Sequence, residues 1–373
     1  MKNIVLVTWI GGGNFGTALQ SFALHKKLEL LGYKVSFLQE FPKKYTLKNK
    51  IKYLLQLLGI DLKKAKKLIF PAHLSAKQQK LADFVSENYN FCKPINDKRQ
   101  LKKLIADTDV FVTGSDQIWN TVYRFNPFCF LDFAGDAKRV AYASSIGLQD
   151  FPEEHKPEVK RMLSKFSHIG LREETAVRIV SKLLNRNDIL QVLDPTFLLA
   201  SNDWEKIGNE ANIEIQLPKT YILCYLIGNN EWYKGQVKDV IARTGIKNII
   251  VVPSEENAFF SVDGAVIYNA AGPLEFIKLI QKATFVCTDS FHATAISINL
   301  NIDFVEFIRF IVSDKASQNS RIYDVLSHYN MMNRIYNTED TNWSEKIDFS
   351  ISNKQLEIDR KKSLDYLINA IEK

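Results

Sequence analysis

The sequence gathers its chemically useful side chains where a β-rich run gives way to a helical one. Cys287-Thr288-Asp289-Ser290-Phe291-His292-Ala293-Thr294 is one such junction. Ser290 reads as a helix N-cap, which puts His292 in the first turn, where the helix dipole and unpaired amides favour an anion. A histidine there is suited to give a hydrogen bond or a proton to a phosphate or an enol. Ile169-Gly170-Leu171-Arg172-Glu173-Glu174 sets Arg172 between a strand and the next helix. A guanidinium fork fits a carboxylate or phosphate; the plainer reading is an arginine paired with Glu173. The stretch from Arg309 to Arg321, with Lys315, Asn319 and Ser320, follows the strand after the His292 junction. It either presents cations beside the His292 helix or is a solvated basic loop.

Three junctions nearer the N-terminus are rich in small and polar residues. Gly11-Gly12-Gly13-Asn14-Phe15-Gly16 spells G-x-G-x-x-G between a strand and a helix. Such a turn suits an anion at a helix N-terminus. With Glu40 as a ribose partner it also reads as a dinucleotide fingerprint, and it would serve equally as a tight crossover without ligand. Gly114-Ser115-Asp116-Gln117-Ile118-Trp119-Asn120 supplies polar groups and, in Trp119, a flat apolar face. That is either a sugar-reading set or a capped turn with Trp119 in the core. Tyr142-Ala143-Ser144-Ser145-Ile146-Gly147 places small hydroxyl residues at a strand end. The motifs HExxH, GxSxG and the P-loop do not occur, and no carboxylate cluster marks a metal site, so no metal is expected.

The elements that must position these groups alternate. Strands are expected at Lys2–Trp9, Val35–Leu38, Asp109–Thr113, Val140–Ser144, Ile169–Leu171 and Ile189–Leu193. A second series follows at Tyr221–Ile227, Asn248–Val252, Phe285–Cys287 and Phe304–Phe307. Helical periods run over Thr17–Leu31, Trp232–Arg243, Pro273–Ala283, Ala293–Asn299 and Asn353–Ile371. The alternation predicts parallel α/β sheets in two domains, residues 1–200 and 201–345, with a C-terminal helix in 346–373. In such sheets ligands sit at the carboxyl ends of the strands.

A chain of 373 residues with 46% apolar and 24% charged residues has the composition of a folded globular protein. Cys92, Cys129, Cys224 and Cys287 show no CxxC spacing, so neither zinc nor a disulfide framework is expected. No apolar run approaches the roughly 18 residues that span a bilayer, and a cytoplasmic location is expected. Much of the +7 net charge lies in Lys43–Lys67, with nine lysines and one acid among apolar residues. That segment reads as a solvated helix or as one that lies on the anionic inner face of a membrane. No nucleic-acid-binding module is recognisable.

Together these stretches resemble the polysaccharide pyruvyl transferase family. The resemblance is carried by Asn14-Phe15-Gly16-Thr17-Ala18-Leu19-Gln20, Gly114 to Asn120, Tyr142 to Gly147, Arg172-Glu173, Leu193-Asp194-Pro195-Thr196 and Thr288-Asp289-Ser290-Phe291-His292, in family order from Met1 to about Leu326. It implies two Rossmann-like domains similar to the GT-B glycosyltransferase fold, with the site in the cleft between them. It implies phosphoenolpyruvate as co-substrate, a glycan or lipid-linked sugar as acceptor, a pyruvate ketal as product and no further cofactor. Around the donor it implies Arg172, His292 and a basic residue after the next strand, for which Lys315, Arg321 and Arg309 all stand; Ser290 joins this donor set. His292 and Asp116 are the expected acid–base groups. Gly13, Asn14, Gly16, Ser115, Gln117, Trp119 and Asn120 are the expected acceptor or loop residues. A nucleotide-sugar-dependent glycosyltransferase, an NAD-dependent oxidoreductase and a non-catalytic glycan-binding protein are the alternatives.

Overall fold

A computed structural model describes residues 1–10, 14–40, 74–254, 260–310 and 318–373. Near-continuous runs of Val, Ile, Leu and Phe form strands whose side chains are buried, as expected where helices cover both faces of a parallel sheet. The first sheet holds β1 (Asn3–Val7), β2 (Lys34–Phe37), β3 (Val110–Thr113), β4 (Arg139–Ser144), β5 (His168–Leu171) and β6 (Leu190–Gln191) in the order β2-β1-β3-β4-β5-β6. The second holds β7 (Ile222–Tyr225), β8 (Ile249–Val251), β9 (Val266–Ile267), β10 (Phe285–Thr288) and β11 (Phe304–Glu306) in the order β11-β10-β7-β8-β9. Every ladder is parallel. The expected strands all form. β9 was missed because two half-exposed residues carry no period, and Ile189–Leu193 contracts to Leu190–Gln191.

Chain order reverses between β1 and β3 in the first sheet and between β7 and β10 in the second. Such switch points leave a crevice beyond the strand ends, and the loops after these four strands meet at one cleft. Its floor is apolar. The helix α1 (Phe15–Leu30) packs against two helices of the second half, Pro273–Lys282 and Phe291–Leu300. Phe15 stacks on Phe276 with ring centroids 5.0 Å apart, and one buried cluster runs from Leu6 and Val112 through Phe22 to Trp204, Tyr225 and Ile296.

The last helix, Ser350–Glu372, returns to the first sheet. Tyr366 Oη donates to the Ala141 carbonyl at 2.8 Å, Lys2 Nζ donates to the Ile371 carbonyl at 2.8 Å, and Ser363 Oγ accepts from the Leu193 amide at 3.0 Å. None of the helices among the described residues is long and apolar enough to cross a membrane. The Lys43–Lys67 segment lies outside the described residues.

Candidate active site

The site is built around a carboxylate that the sequence reading left without a role. Asp194 follows β6 and caps the turn Pro195–Phe197: its Oδ1 accepts from the Thr196 amide at 3.0 Å and the Thr196 hydroxyl at 2.7 Å. Its Oδ2 accepts from Arg172 Nη1 at 2.9 Å and Ser115 Oγ at 3.0 Å, and lies 3.7 Å from His292 Nε2. Burial favours the protonated acid, but the His292 ring, the Arg172 guanidinium and the Thr196 amide outweigh it and hold the carboxyl well below the usual carboxylate range. Asp194 is an anion at neutral pH.

Arg172 is paired to two carboxylates in this network through Nε and Nη1, while its Nη2 has no bonded partner among the described residues. Its Nε donates to Glu173 Oε1 at 2.9 Å, and its guanidinium carbon lies 4.3 Å from the centre of the Phe291 ring. Ser145 Oγ donates to the same Glu173 oxygen at 2.7 Å, so the small hydroxyl residues after β4 brace the network. His292 is buried in the first turn of its helix, beside the N-terminus of α1. A Cβ at Gly16 would lie 2.3 Å from His292 Nδ1, so the ring rests on the bare backbone of a glycine contributed by the other half of the chain.

The open cleft in front has a volume of about 500 Å³. Two helix N-termini reach it: α1 through Asn14, whose Oδ1 caps Gly16 N at 2.8 Å, and the Phe291–Leu300 helix through Ser290, Phe291 and His292. Both dipoles favour an anion. Two arginines stand on the wall from the second half. Arg309 Nε donates to Asp289 Oδ2 at 3.0 Å. The same carboxylate accepts from Ile227 N at 2.6 Å, Gly228 N at 2.7 Å and Tyr233 Oη at 2.9 Å, which ties the loops after β7, β10 and β11 together. Arg321 donates from Nη2 to Gln318 Oε1 at 2.9 Å and, among the described residues, has no carboxylate within ion-pair distance. Burial, together with the nearby Arg172 and Arg309, pulls its pKa down to about 10. On the opposite wall Asp116, held at φ 69°, accepts from Thr17 Oγ1 at 3.0 Å and from the Gln117 amide at 2.9 Å.

His292, Asp116, Ser290, Arg321, Asn14 and Gln117 thus share one cleft, and Gly16 lies just beneath. The other expected residues lie elsewhere. Arg172 lines a smaller cavity of about 80 Å³ that Phe291 and Arg321 also line, with its guanidinium held by two carboxylates. Trp119 offers no face to a ligand: it is fully buried, stacked on Phe130 and bonded through Nε1 to the Cys129 carbonyl at 3.1 Å. Ser115 is buried against Ala143 and Asp194. Asn120 caps a short helix through the Tyr123 amide at 2.9 Å. Glu40 pairs with Arg124 at 2.5 Å. Gly13 and Lys315 lie outside the described residues. The reading passed over Asp194, although its motif was in view, and Asp289, which stands in the same motif as His292. It also passed over Trp9 and Tyr123, each flanking a stretch singled out for chemistry, and both line the cleft.

None of the curated proteins compared with the chain matches it. Among solved structures, a Staphylococcus aureus MnaA–UDP co-structure is 13% identical with a TM-score of 0.51, covering 99% of this chain and 91% of that one. A Neisseria meningitidis UDP-GlcNAc 2-epimerase bound to UDP-GlcNAc is 12% identical with a TM-score of 0.49, covering 99% and 100%. At 13% identity the likeness to the first of these concerns the fold alone, which is of GT-B type. A family model described as polysaccharide pyruvyl transferase matches residues 14–308. With that match spanning most of the chain, and with the strand-end loops meeting at one cationic cleft, the chain belongs to the polysaccharide pyruvyl transferase family.

Proposed function

We propose that the protein transfers the enolpyruvyl group of phosphoenolpyruvate to two hydroxyls of a saccharide, forming a pyruvate ketal and releasing phosphate. The observation that carries this reading is Arg321: a buried guanidinium without a carboxylate partner, on a cleft whose wall also holds His292 at a helix N-terminus. A donor with a carboxylate and a phosphate brings the anions this wall lacks. Arg321, Arg309 and the first turn of the His292 helix bind it. One acceptor hydroxyl gives its proton to Asp116 as its oxygen bonds to C2 of the donor, while C3 takes a proton that His292 delivers. The second hydroxyl then bonds to C2 as the C2–O bond to phosphate breaks, its proton leaving with the phosphate. Asp116, on the acceptor wall, orients an attacking hydroxyl. Arg172 acts at one remove, by holding Asp194 and through it the His292 ring.

Phosphate release from phosphoenolpyruvate in the presence of galactose- and mannose-type acceptors tests the reading. Acceptor-dependent release is the expected result. Turnover of a nucleotide sugar with no phosphoenolpyruvate binding would replace it with glycosyl transfer.

A further inference from the structure

The wall of the cleft opposite the arginines carries a pair of aromatic rings. Trp9 follows β1 and Tyr123 lies in the short helix Thr121–Arg124; their ring centroids are 5.9 Å apart at an interplanar angle of 59°. Both line the cleft, and Tyr123 is 75% exposed. Their backbones are pinned from behind. The Trp9 carbonyl accepts from Gln20 Nε2 at 3.1 Å, a side chain that is fully buried. The Tyr123 amide is capped by Asn120 Oδ1 at 2.9 Å. Trp119, Trp204 and Trp343 are buried in the core; Trp9 is the tryptophan on the cleft wall.

A half-buried Trp9 ring beside the exposed Tyr123 ring at the edge of a cleft suits a ligand with an apolar face and a polar rim. The rim is supplied: Asp116 and Gln117 stand on the same wall, and Arg124, paired with Glu40, borders the rings. The arginine wall claims the anionic partner, so the ligand here is the neutral one. We infer that Trp9 and Tyr123 form the acceptor subsite, stacking the C–H face of a pyranose while Asp116, Gln117 and Arg124 read its hydroxyls. The tilt between the rings fits a puckered pyranose, which touches two inclined faces, better than a flat nucleobase. This assignment rests on the pyruvyl-transfer reading for the identity of its neighbour, yet it makes a claim about binding alone.

Intrinsic fluorescence tests it first. Methyl β-galactopyranoside or methyl α-mannopyranoside should change the emission of the wild-type protein, and Trp9→Phe should remove most of that change. Titration with UMP is the contrasting arm: a Trp9 signal with UMP and none with either glycoside would assign the platform to a base and overturn the inference. In turnover, Trp9→Ala and Tyr123→Ala should each raise the acceptor KM about tenfold, the scale of one lost aromatic contact. Calorimetric affinity for phosphoenolpyruvate alone should not move. Tyr123 is too exposed for its truncation to threaten folding, so an unchanged acceptor KM in Tyr123→Ala sinks the platform and leaves the donor reading intact. Absence of phosphoenolpyruvate binding in the wild type, with the glycoside signal present, would sink the donor reading and leave the platform.

Discussion

Two buried arginines of this site have opposite surroundings. Arg172, at the end of β5, meets Glu173 and Asp194 at 2.9 Å each. Burial would lower its pKa, but Glu173, Asp194 and Asp116 reverse the shift and keep it above the ordinary value. Arg321, at the start of the helix Ser320–His328, meets the side-chain amides of Gln318 and Gln117; among the described residues it meets no carboxylate, and its Nε has no bonded partner. Burial, Arg172 and Arg309 all push its pKa the same way, down to about 10. A buried charge is costly unless it is paired. Arg172 is paired within the chain and belongs to the scaffold, whereas Arg321 is left for a partner that the chain does not supply. The residue type is the same; the neighbouring carboxylates separate the roles.

The largest expected effect falls on the group between the two. His292→Ala should lower kcat by about 10²–10⁴, the range for losing a positioned acid–base group, with circular dichroism unchanged. A folded variant with near-wild-type kcat would remove His292 from the chemistry.

Arg172→Ala should instead act on stability. It leaves Asp194 and Glu173 buried without their cation, a change that typically costs about 3–5 kcal/mol, measured by denaturant unfolding. Wild-type stability combined with lost phosphoenolpyruvate binding would reverse the comparison. The same network carries a pH signature. The Asp194 pKa is lowered in the folded state, so its contribution to stability is present above the unfolded value of about 3.9. It is lost as pH falls below that value and through the folded pKa. Asp194→Asn should flatten the stability profile in that acid window while lowering stability at pH 7. An unchanged acid limb would mean that Asp194 is not the titrating group.

Arg321→Lys keeps the charge and loses the fork. It should weaken phosphoenolpyruvate binding by about 1.5–3 kcal/mol, the range for a hydrogen bond to a charged group. Calorimetry without acceptor measures it, and stability should change little because no carboxylate loses its partner. Equal donor affinity in Arg321→Lys and the wild type would break the contrast with Arg172.

Sequence alone was a good guide to what repeats and a poor one to what faces what. Strand runs, helix periods and the Ser290 N-cap are local, and they appear in the structure close to where the pattern puts them. Parallel order followed from alternation, and with it the rule that strand-end loops hold the site. Side-chain direction is not local. Trp119 and Trp9 both stand at polar loops in the sequence, but one packs on Phe130 in the core and the other lines the cleft. Arg172 and Arg321 read alike until β6 brings Asp194 beside the first. Asp194 itself reads as a turn residue, since Asp-Pro favours turns. Its second oxygen gains its role only when β3, β5 and the His292 helix converge on it.

The smallest effect comes from the buried tryptophan, Trp119. Trp119 donates to the Cys129 carbonyl, but Thr113 Oγ1 also donates there, at 2.8 Å. Trp119→Phe therefore strands no buried acceptor, and the lost hydrogen bond should cost only about 1 kcal/mol. The smaller ring keeps its stack on Phe130, 5.4 Å between centroids, and its edge contact with Phe166, so the void it leaves adds a contribution of about the same size. Because none of this reaches the cleft, the acceptor KM should stay at the wild-type value, in contrast to the rise expected for Trp9→Ala. A Trp119→Phe variant of ordinary stability with a raised acceptor KM would return Trp119 to the acceptor wall and displace Trp9 from it.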